Sequence, residues 1–137
     1  MPLISGVANG EKLIGMGWGQ TATSNFSPVL KENLFTAISD SMCEGFYQTE
    51  LDSSILCTRD VPGQSICQGK TFNFHWWFPL ISRNFEGDSG SSIGKIENER
   101  FVLYGLASFT SDSCLSGYPN GFTEIQPHMD FILDNFD

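Results

Sequence analysis

Positively charged residues are scarce in this sequence. It has 7 lysines and arginines against 16 aspartates and glutamates, which gives a formal net charge of -9 and a pI near 4.4. Proteins that bind nucleic acid or anionic membranes generally present a basic surface. The charge balance therefore argues against both kinds of partner. It identifies no partner, because an acidic surface that keeps a secreted protein soluble would look the same.

Long hydrophobic runs are absent as well. No apolar run approaches the roughly 20 residues that a membrane-spanning helix needs. The N-terminal stretch MPLISGVANG has neither the charged start nor the apolar core of a secretory signal. The chain has 137 residues, of which 40% are hydrophobic and 17% charged, and this composition predicts one globular domain rather than a disordered chain.

The four cysteines form no Cys-x-x-Cys pair, and neither His75 nor His128 lies at ligand spacing from a cysteine. An even number of cysteines in so short a chain predicts either two disulfides or a metal site. The spacing disfavours zinc, and we expect neither a metal nor another cofactor. Disulfides form in oxidising compartments, so we expect a secreted protein whose signal peptide and N-terminal end are missing from this sequence.

Most of the chain has the pattern of strands and turns. KLIGMGWGQT and FVLYGLASFT predict strands, the second of them buried, and YPNGFTEI predicts a Pro-Asn-Gly turn that leads into another strand. Helices are predicted for SPVLKENLFTAISDSMC and for QPHMDFILDNF. In the second helix Pro127 suits the first turn, and an apolar stripe follows at Met129, Ile132, Leu133 and Phe136. The predicted fold class is all-β, an antiparallel β-barrel closed by a terminal helix.

The order of the motifs resembles a known family. Gly17-Trp18-Gly19, the cysteines, Gly87-Asp88-Ser89-Gly90, YGLASF, YPNGFTEI and the terminal helix look like the C-terminal half of a trypsin/chymotrypsin-like serine protease. The similarity covers nearly the whole chain except residues 69–86. Gly-Asp-Ser-Gly alone is a weak signal, but its order and spacing with the other motifs are specific. The resemblance implies that residues 1–137 form the six-stranded C-terminal barrel of a serine endopeptidase.

The same resemblance implies the cysteine pairing. It predicts two disulfides, Cys43–Cys57 and Cys67–Cys114. A third bridge that is common in the family would join the positions of Leu13 and Lys95. Both cysteines of that bridge are absent together, so no odd thiol is expected.

By this resemblance Ser89 is the candidate nucleophile. A serine hydroxyl needs an adjacent base to become reactive. The glycines permit a tight turn in which the backbone N–H groups of Gly87 and Ser89 face a developing oxyanion, and in the family the equivalent of Asp88 orders this hole. The family's histidine and aspartate come from an N-terminal barrel, which we expect to lie outside this chain. We expect His75 and His128 to be non-catalytic and the isolated chain to be inactive.

The resemblance also implies a substrate pocket. The candidate substrate-binding residues are Ser65, Gln68, Ser108, Phe109, Thr110 and Asn120. Ser65 stands where trypsin-like members carry an aspartate, so selectivity for Lys or Arg is not expected. Thr110 replaces a residue that is usually glycine in members with an open pocket. Chymotrypsin-like and elastase-like selectivity both remain open, and small side chains are favoured. The expected partners are protein or peptide substrates and protease inhibitors, and the expected state is a monomer.

Residues 69–86, GKTFNFHWWFPLISRNFE, form an atypical insert in the family run Cys-Gln-Gly-Asp-Ser-Gly. Removing them would join Gln68 to Gly87 and restore that run. The segment is rich in Phe and Trp, which is unusual for an exposed loop. It is either a family-specific loop that covers the cleft or a translated intron, and we favour the intron. On that hypothesis the segment projects from the barrel, with Gln68 and Gly87 close in space.

Three functions fit these features: a secreted serine endopeptidase, a non-catalytic homologue that binds proteins, and an unrelated disulfide-stabilised β module. The ordered motifs give the third little support. A histidine and an aspartate in an upstream barrel of the full-length gene would favour the enzyme over the binding protein.

Overall fold

The computed structural model describes residues 6–18, 27–60, 89–109 and 119–136. The elements in these ranges are β1 Lys12–Gly17, β2 Lys31–Ala37, α1 Asp40–Tyr47, β3 Ile55–Asp60, β4 Ser92–Glu97, β5 Arg100–Phe109, β6 Asn120–Glu124, a 3-10 turn Gln126–His128 and α2 Met129–Asp134. The strands pair antiparallel and close a barrel in the order β1-β2-β3-β6-β5-β4. The predicted all-β class and six-stranded antiparallel barrel are therefore confirmed.

Each strand contributes to the core inside the barrel. The buried cluster consists of Leu13, Phe35, Ala37, Leu56, Ile93, Tyr104 and Phe122. The rings of Phe35 and Phe122 meet edge to face with their centroids 5.9 Å apart. Burying apolar area stabilises such a core by about 25 cal/mol per Å². At Gly94 the strands approach so closely that a Cβ atom would lie 2.0 Å from the carbonyl oxygen of Val102, so this position of β4 requires glycine.

The helix predicted for residues 27–43 is wrong in its first part. Residues Lys31–Ala37 form β2, and the helix begins only at Asp40, after Ser39, whose hydroxyl accepts a hydrogen bond from the Met42 N–H. The strand buries Phe35 and Ala37 on alternate positions while the neighbouring side chains face outward. Pairing with β1 along Lys31–Thr36 outweighs the local helix propensity of this segment.

Two strand predictions need a smaller correction. FVLYGLASF does form a strand, but only Tyr104 and Gly105 of β5 are buried, and its other residues are half-buried or exposed. The predicted turn at Pro-Asn-Gly is wrong, since Asn120 and Gly121 already belong to β6. They pair there with Thr58 and Cys57 of β3.

The terminal helix begins where the sequence predicted. Pro127 lies in the 3-10 turn Gln126–His128, which continues directly into α2. On the predicted apolar stripe Leu133 and Phe136 are exposed, and α2 buries no residue completely. Within the described ranges, no helix is long and apolar enough to cross a membrane.

One of the two predicted disulfides lies within the described residues. Cys43 of α1 is bonded to Cys57 of β3, with a Cα–Cα distance of 6.3 Å, which confirms this pairing. Cys67 and Cys114 lie outside the described residues. The register of β1 and β4 pairs Ile14 with Gly94, and its continuation sets Leu13 opposite Lys95, the two positions at which the family's third bridge is absent.

Candidate active site

Ser89 lies on an exposed turn at the entry to β4. The next residue, Gly90, has φ +80°, a left-handed conformation that glycine adopts without strain. Its N–H donates to the carbonyl oxygen of Ala107 at 2.9 Å, and the Ala107 N–H donates to Ser91 at 2.8 Å. These two bonds fix the turn to β5. Ser89 is thus an exposed residue on a turn whose backbone is bonded to β5.

β5 places two of the predicted pocket residues beside this turn. The pairing of β5 with β6 shifts between Ala107 and Phe109, so Ser108 occupies an irregularity of the strand. Ser108 is exposed and Phe109 is half-buried. Such irregularities often redirect side chains next to binding sites. Here the irregularity lies in the residues that directly follow Ala107, the partner of the Ser89 turn.

An aromatic contact supports Phe109 from outside the barrel. The rings of Tyr47 and Phe109 meet edge to face at 5.4 Å, and the Tyr47 hydroxyl donates to the Pro119 carbonyl oxygen at 2.5 Å. Gly121 leaves room for the Phe109 ring, because a Cβ atom at this position would lie 2.3 Å from ring carbons. Sequence reasoning missed Tyr47, Pro119 and Gly121 as parts of this wall. Nothing in the sequence linked Tyr47 to a partner 72 residues away.

Asn120 lies deeper than Ser108 and Phe109, the other two candidate pocket residues that the structure describes. It is only 5% exposed and pairs in register with Thr58, which is fully buried. The Thr58 hydroxyl has no hydrogen-bond partner among the described residues. Two neutral polar side chains therefore mark this end of the barrel interior, and neither carries a charge that could pair with a basic ligand.

The other predicted site residues lie outside the described residues. They are Gly87, Asp88, Ser65, Gln68, Thr110, Cys67, Cys114 and His75. The same holds for the segment 69–86 and for the distance between Gln68 and Gly87. Their roles stay predictions.

The described histidine does not lie beside Ser89. β6 begins next to Phe109 and ends next to Gly105, and His128 follows it on the far side. His128 lies near Asp52, whose pKa is lowered mainly by hydrogen bonds from Ser54 and slightly by this histidine. In the described part of the chain, no group of three His, Cys, Asp or Glu side chains could hold a metal ion.

The Tyr47 contact can be tested by mutation. Tyr47→Phe removes the bond to the buried Pro119 carbonyl but keeps the ring, and we expect it to lower the free energy of unfolding by about 1 kcal/mol. Tyr47→Leu also removes the ring contact with Phe109 and should cost about 0.5–1.5 kcal/mol more. Urea denaturation of both variants measures the two steps. In a Phe109→Leu background the second step should vanish, and an unchanged second step would show that the ring contact contributes nothing.

Comparisons with known proteins agree with this fold. A family model described as Trypsin matches residues 4–71. Trypsin-1 of Astacus astacus is 27% identical over 139 residues, which cover 98% of this chain and 50% of the relative. Spermosin of Halocynthia roretzi is 25% identical over 118 residues, which cover 85% of this chain and 26% of the relative. The chain thus spans between about a quarter and a half of the length of these relatives.

A solved structure shows the same architecture. Kallikrein-related peptidase 10, in a complex with Zn²⁺, superposes with a TM-score of 0.66 at 24% identity, covering 95% of this chain and 52% of the other. This likeness concerns the fold. The match of residues 4–71, the similar relatives, the closed barrel and the Cys43–Cys57 bridge show that the chain resembles the trypsin/chymotrypsin-like serine proteases. The resemblance is consistent with the C-terminal half of that family.

Proposed function

We propose that this chain is the nucleophile-bearing barrel of a secreted serine endopeptidase. The observation that carries the proposal is the exposed Ser89 on a turn that is bonded to Ala107, immediately before Ser108 and Phe109. A nucleophile must be accessible and held within reach of the bound substrate. The Cys43–Cys57 disulfide supports secretion, because such bonds persist in oxidising compartments.

In the proposed reaction the Ser89 oxygen attacks the carbonyl carbon of a peptide bond. The hydroxyl proton passes to a general base, and the carbonyl oxygen becomes an oxyanion that accepts hydrogen bonds from the N–H groups of Gly87 and Ser89. Asp88 orders this hole. The base then returns the proton to the leaving amine, and water hydrolyses the acyl-enzyme by the same steps in reverse order.

We propose that the base and its orienting carboxylate come from residues outside this chain. His128 lies beyond the opposite end of β6 from the Ser89 turn and is exposed. A base must lie within hydrogen-bond reach of the proton that it takes. His75 belongs to the insert and is not proposed as a base.

The proposed pocket favours small or medium apolar side chains. Its members are Ser65, Gln68, Ser108, Phe109, Thr110 and Asn120, none of which is charged. A basic substrate side chain would lose its hydration without gaining a counter-charge, which disfavours Lys and Arg. The buried Asn120 and the ring of Phe109, held by Tyr47, reduce the space for a large ring. This argument favours elastase-like over chymotrypsin-like selectivity.

A chimera with the N-terminal half of Astacus astacus trypsin-1 tests this function. We expect the chimera to need deletion of residues 69–86, because the insert separates Gln68 from Gly87. It should then cleave peptides after Ala, Val or Leu at least about tenfold faster, in kcat/KM, than after Lys or Arg.

Ser65→Asp is the matched control for selectivity. It introduces one carboxylate into the pocket and should raise cleavage after Lys or Arg relative to cleavage after Ala. Preference for Lys or Arg in the unmodified pocket would contradict the proposed selectivity. An inactive chimera whose barrel is folded would instead contradict the endopeptidase itself.

The second candidate function is a non-catalytic homologue that binds proteins. The observation in its favour is that no histidine of the described residues lies beside Ser89. Its partners would be proteins or protease inhibitors, bound without cleavage by a monomer. Binding of a protein inhibitor that is unaffected by Ser89→Ala, together with an inactive chimera, would favour this alternative.

A further inference from the structure

The barrel closes through its shortest strand pairing. In β1 and β4 the paired residues are Ile14 with Gly94 and Gly15 with Ile93. By contrast, β1 is paired with β2 along all of Lys12–Gly17. Of the described pairings the contact between β1 and β4 has the fewest paired residues, so few backbone hydrogen bonds can hold it. We call this pairing the seam.

A cluster of charged side chains spans the seam at the end distant from Ser89. The Lys95 ammonium nitrogen, on β4, lies 2.6 Å from the Glu11 carboxylate just before β1, and 3.3 Å from the Glu97 carboxylate. It also lies 4.9 Å from the ring centre of Tyr104 on β5. The Tyr104 hydroxyl donates to Glu97 at 2.5 Å, which closes the cluster.

This cluster connects the two sides of the seam through side chains rather than backbone. Glu11 is also anchored to its own side, because its carboxylate accepts the Ala8 N–H at 2.9 Å and its carbonyl accepts the Ala37 N–H at 2.9 Å. Glu11 therefore links Lys95 both to the start of β1 and to the end of β2. The side chains of Lys95, Glu11 and Glu97 are between 29% and 40% exposed, so water and salt reach the cluster.

We propose that Glu11, Lys95, Glu97 and Tyr104 form an ionic clasp that holds the seam closed and releases it in acid or at high salt. β4 leads directly from the Ser89 turn, so release of the clasp loosens the strand that positions this turn. Local opening at the least paired part of a barrel costs less than global unfolding. The clasp would therefore open the seam while the rest of the barrel stays folded.

The charges around the clasp give the direction of its pH dependence. The pKa of Glu11 is lowered, first by its bond to Lys95, and the pKa of Glu97 is lowered, first by its bond to Tyr104. The bond to Glu11, and to a smaller extent the bond to Glu97, raises the pKa of Lys95. Burial raises the pKa of Tyr104. Two further charges adjoin them: Arg100 pairs with Glu97 in the hairpin, and Lys12 is bonded to Thr36.

The direction in which the stability of the clasp changes with pH follows from these pKa shifts. A carboxyl group whose pKa is lower in the folded state stabilises that state above its unfolded pKa of about 4.3, and the stabilisation is lost as the pH falls through the folded value. The raised pKa values of Lys95 and Tyr104 remove stabilisation only as the pH rises above about 10. The clasp is thus closed near neutral pH and opens in acid.

Hydrogen exchange of the 137-residue chain tests the clasp at the two seam pairs, Ile14 with Gly94 and Gly15 with Ile93. Hydrogen-bonded and non-hydrogen-bonded pairs alternate in an antiparallel ladder, so the amides of one pair report the seam and those of the other report the pairing with β2 and β5. Lys95→Met keeps the length of the side chain and removes its charge, and we expect roughly two- to fivefold lower protection at the seam near neutral pH. The amides of Leu56 and Phe122, in the pairing of β3 with β6, should keep their protection. Lys12→Met is the matched control, because it removes the same charge beside Glu11 but outside the clasp.

The unchanged protein provides a second, independent measurement. Raising NaCl to about 1 M shortens the Debye length to about 3 Å and should lower protection at the seam. Lowering the pH to about 3, below the ordinary carboxyl pKa and toward the lowered values of Glu11 and Glu97, should do the same after correction for intrinsic exchange. The proposal is overturned if protection falls equally in all strands, if the seam does not respond to salt or acid, or if Lys12→Met matches Lys95→Met. Should Lys95→Met fail to fold, the salt and acid measurements decide alone.

Discussion

The 137-residue chain is expected to hydrolyse peptide substrates no faster than its Ser89→Ala variant. Ser89 is exposed and held on a turn, but no described histidine lies beside it. Removing the nucleophile or the base of a serine protease lowers kcat by on the order of 10⁶-fold. If the base comes from outside this chain, as proposed, only background rates are expected. Hydrolysis of a peptide library followed by mass spectrometry measures this directly.

In the chimera that carries an N-terminal barrel, the same substitution should lower the rate of hydrolysis strongly. There Ser89→Ala is expected to lower kcat by on the order of 10⁴-fold or more, because the base is now present. Ser91→Ala, two residues further on, is the matched control and should retain most of the activity, since its contribution to the turn is the backbone carbonyl bonded to Ala107. Rapid labelling of Ser89 by a fluorophosphonate in the isolated chain would contradict the prediction, because such labelling requires an activating base and a formed oxyanion hole.

The sequence predicted the elements whose signals are local. The strand around KLIGMG, the strand FVLYGLASF and the start of the terminal helix at Pro127 each depend on neighbouring residues, and all three are present. Lys31–Ala37 was predicted as a helix because its local composition permits one. Its partner strand β1 lies earlier in the chain, and only their pairing makes it a strand.

The same distinction applies to the site. Ser89 was predicted from Gly-Asp-Ser-Gly together with its order among the other motifs, and the structure has Ser89 on an exposed turn. The support of Phe109 by Tyr47 could not be found in this way, since Tyr47 contacts Pro119 over a separation of 72 residues. The bond between Glu11 and Lys95 joins residues 84 positions apart. Contacts of this kind depend on how the barrel closes, and no local pattern encodes them.

Replacing both Cys43 and Cys57 by alanine is expected to lower the free energy of unfolding by about 2–4 kcal/mol. The two cysteines are fully buried and 14 residues apart, and closing a loop of about that length contributes about 3 kcal/mol in the chain-entropy account. The bridge also attaches α1, which has 8 residues and would be marginal as an isolated helix. Urea denaturation of the double variant against the unchanged chain measures the loss.

The position of α1 makes this disulfide relevant to the site as well as to stability. Tyr47 is the last residue of α1, and its ring supports Phe109 beside the Ser89 turn. In the double variant we therefore expect the coupling between Tyr47→Leu and Phe109→Leu to shrink, because the helix is no longer fixed to β3. Met42→Ala is the matched control, since Met42 lies on the exposed side of α1 next to Cys43 and its loss should leave both stability and coupling unchanged. If the double variant loses stability but keeps the full coupling, the fold positions α1 without the bridge, and the disulfide stabilises the barrel without ordering the pocket wall.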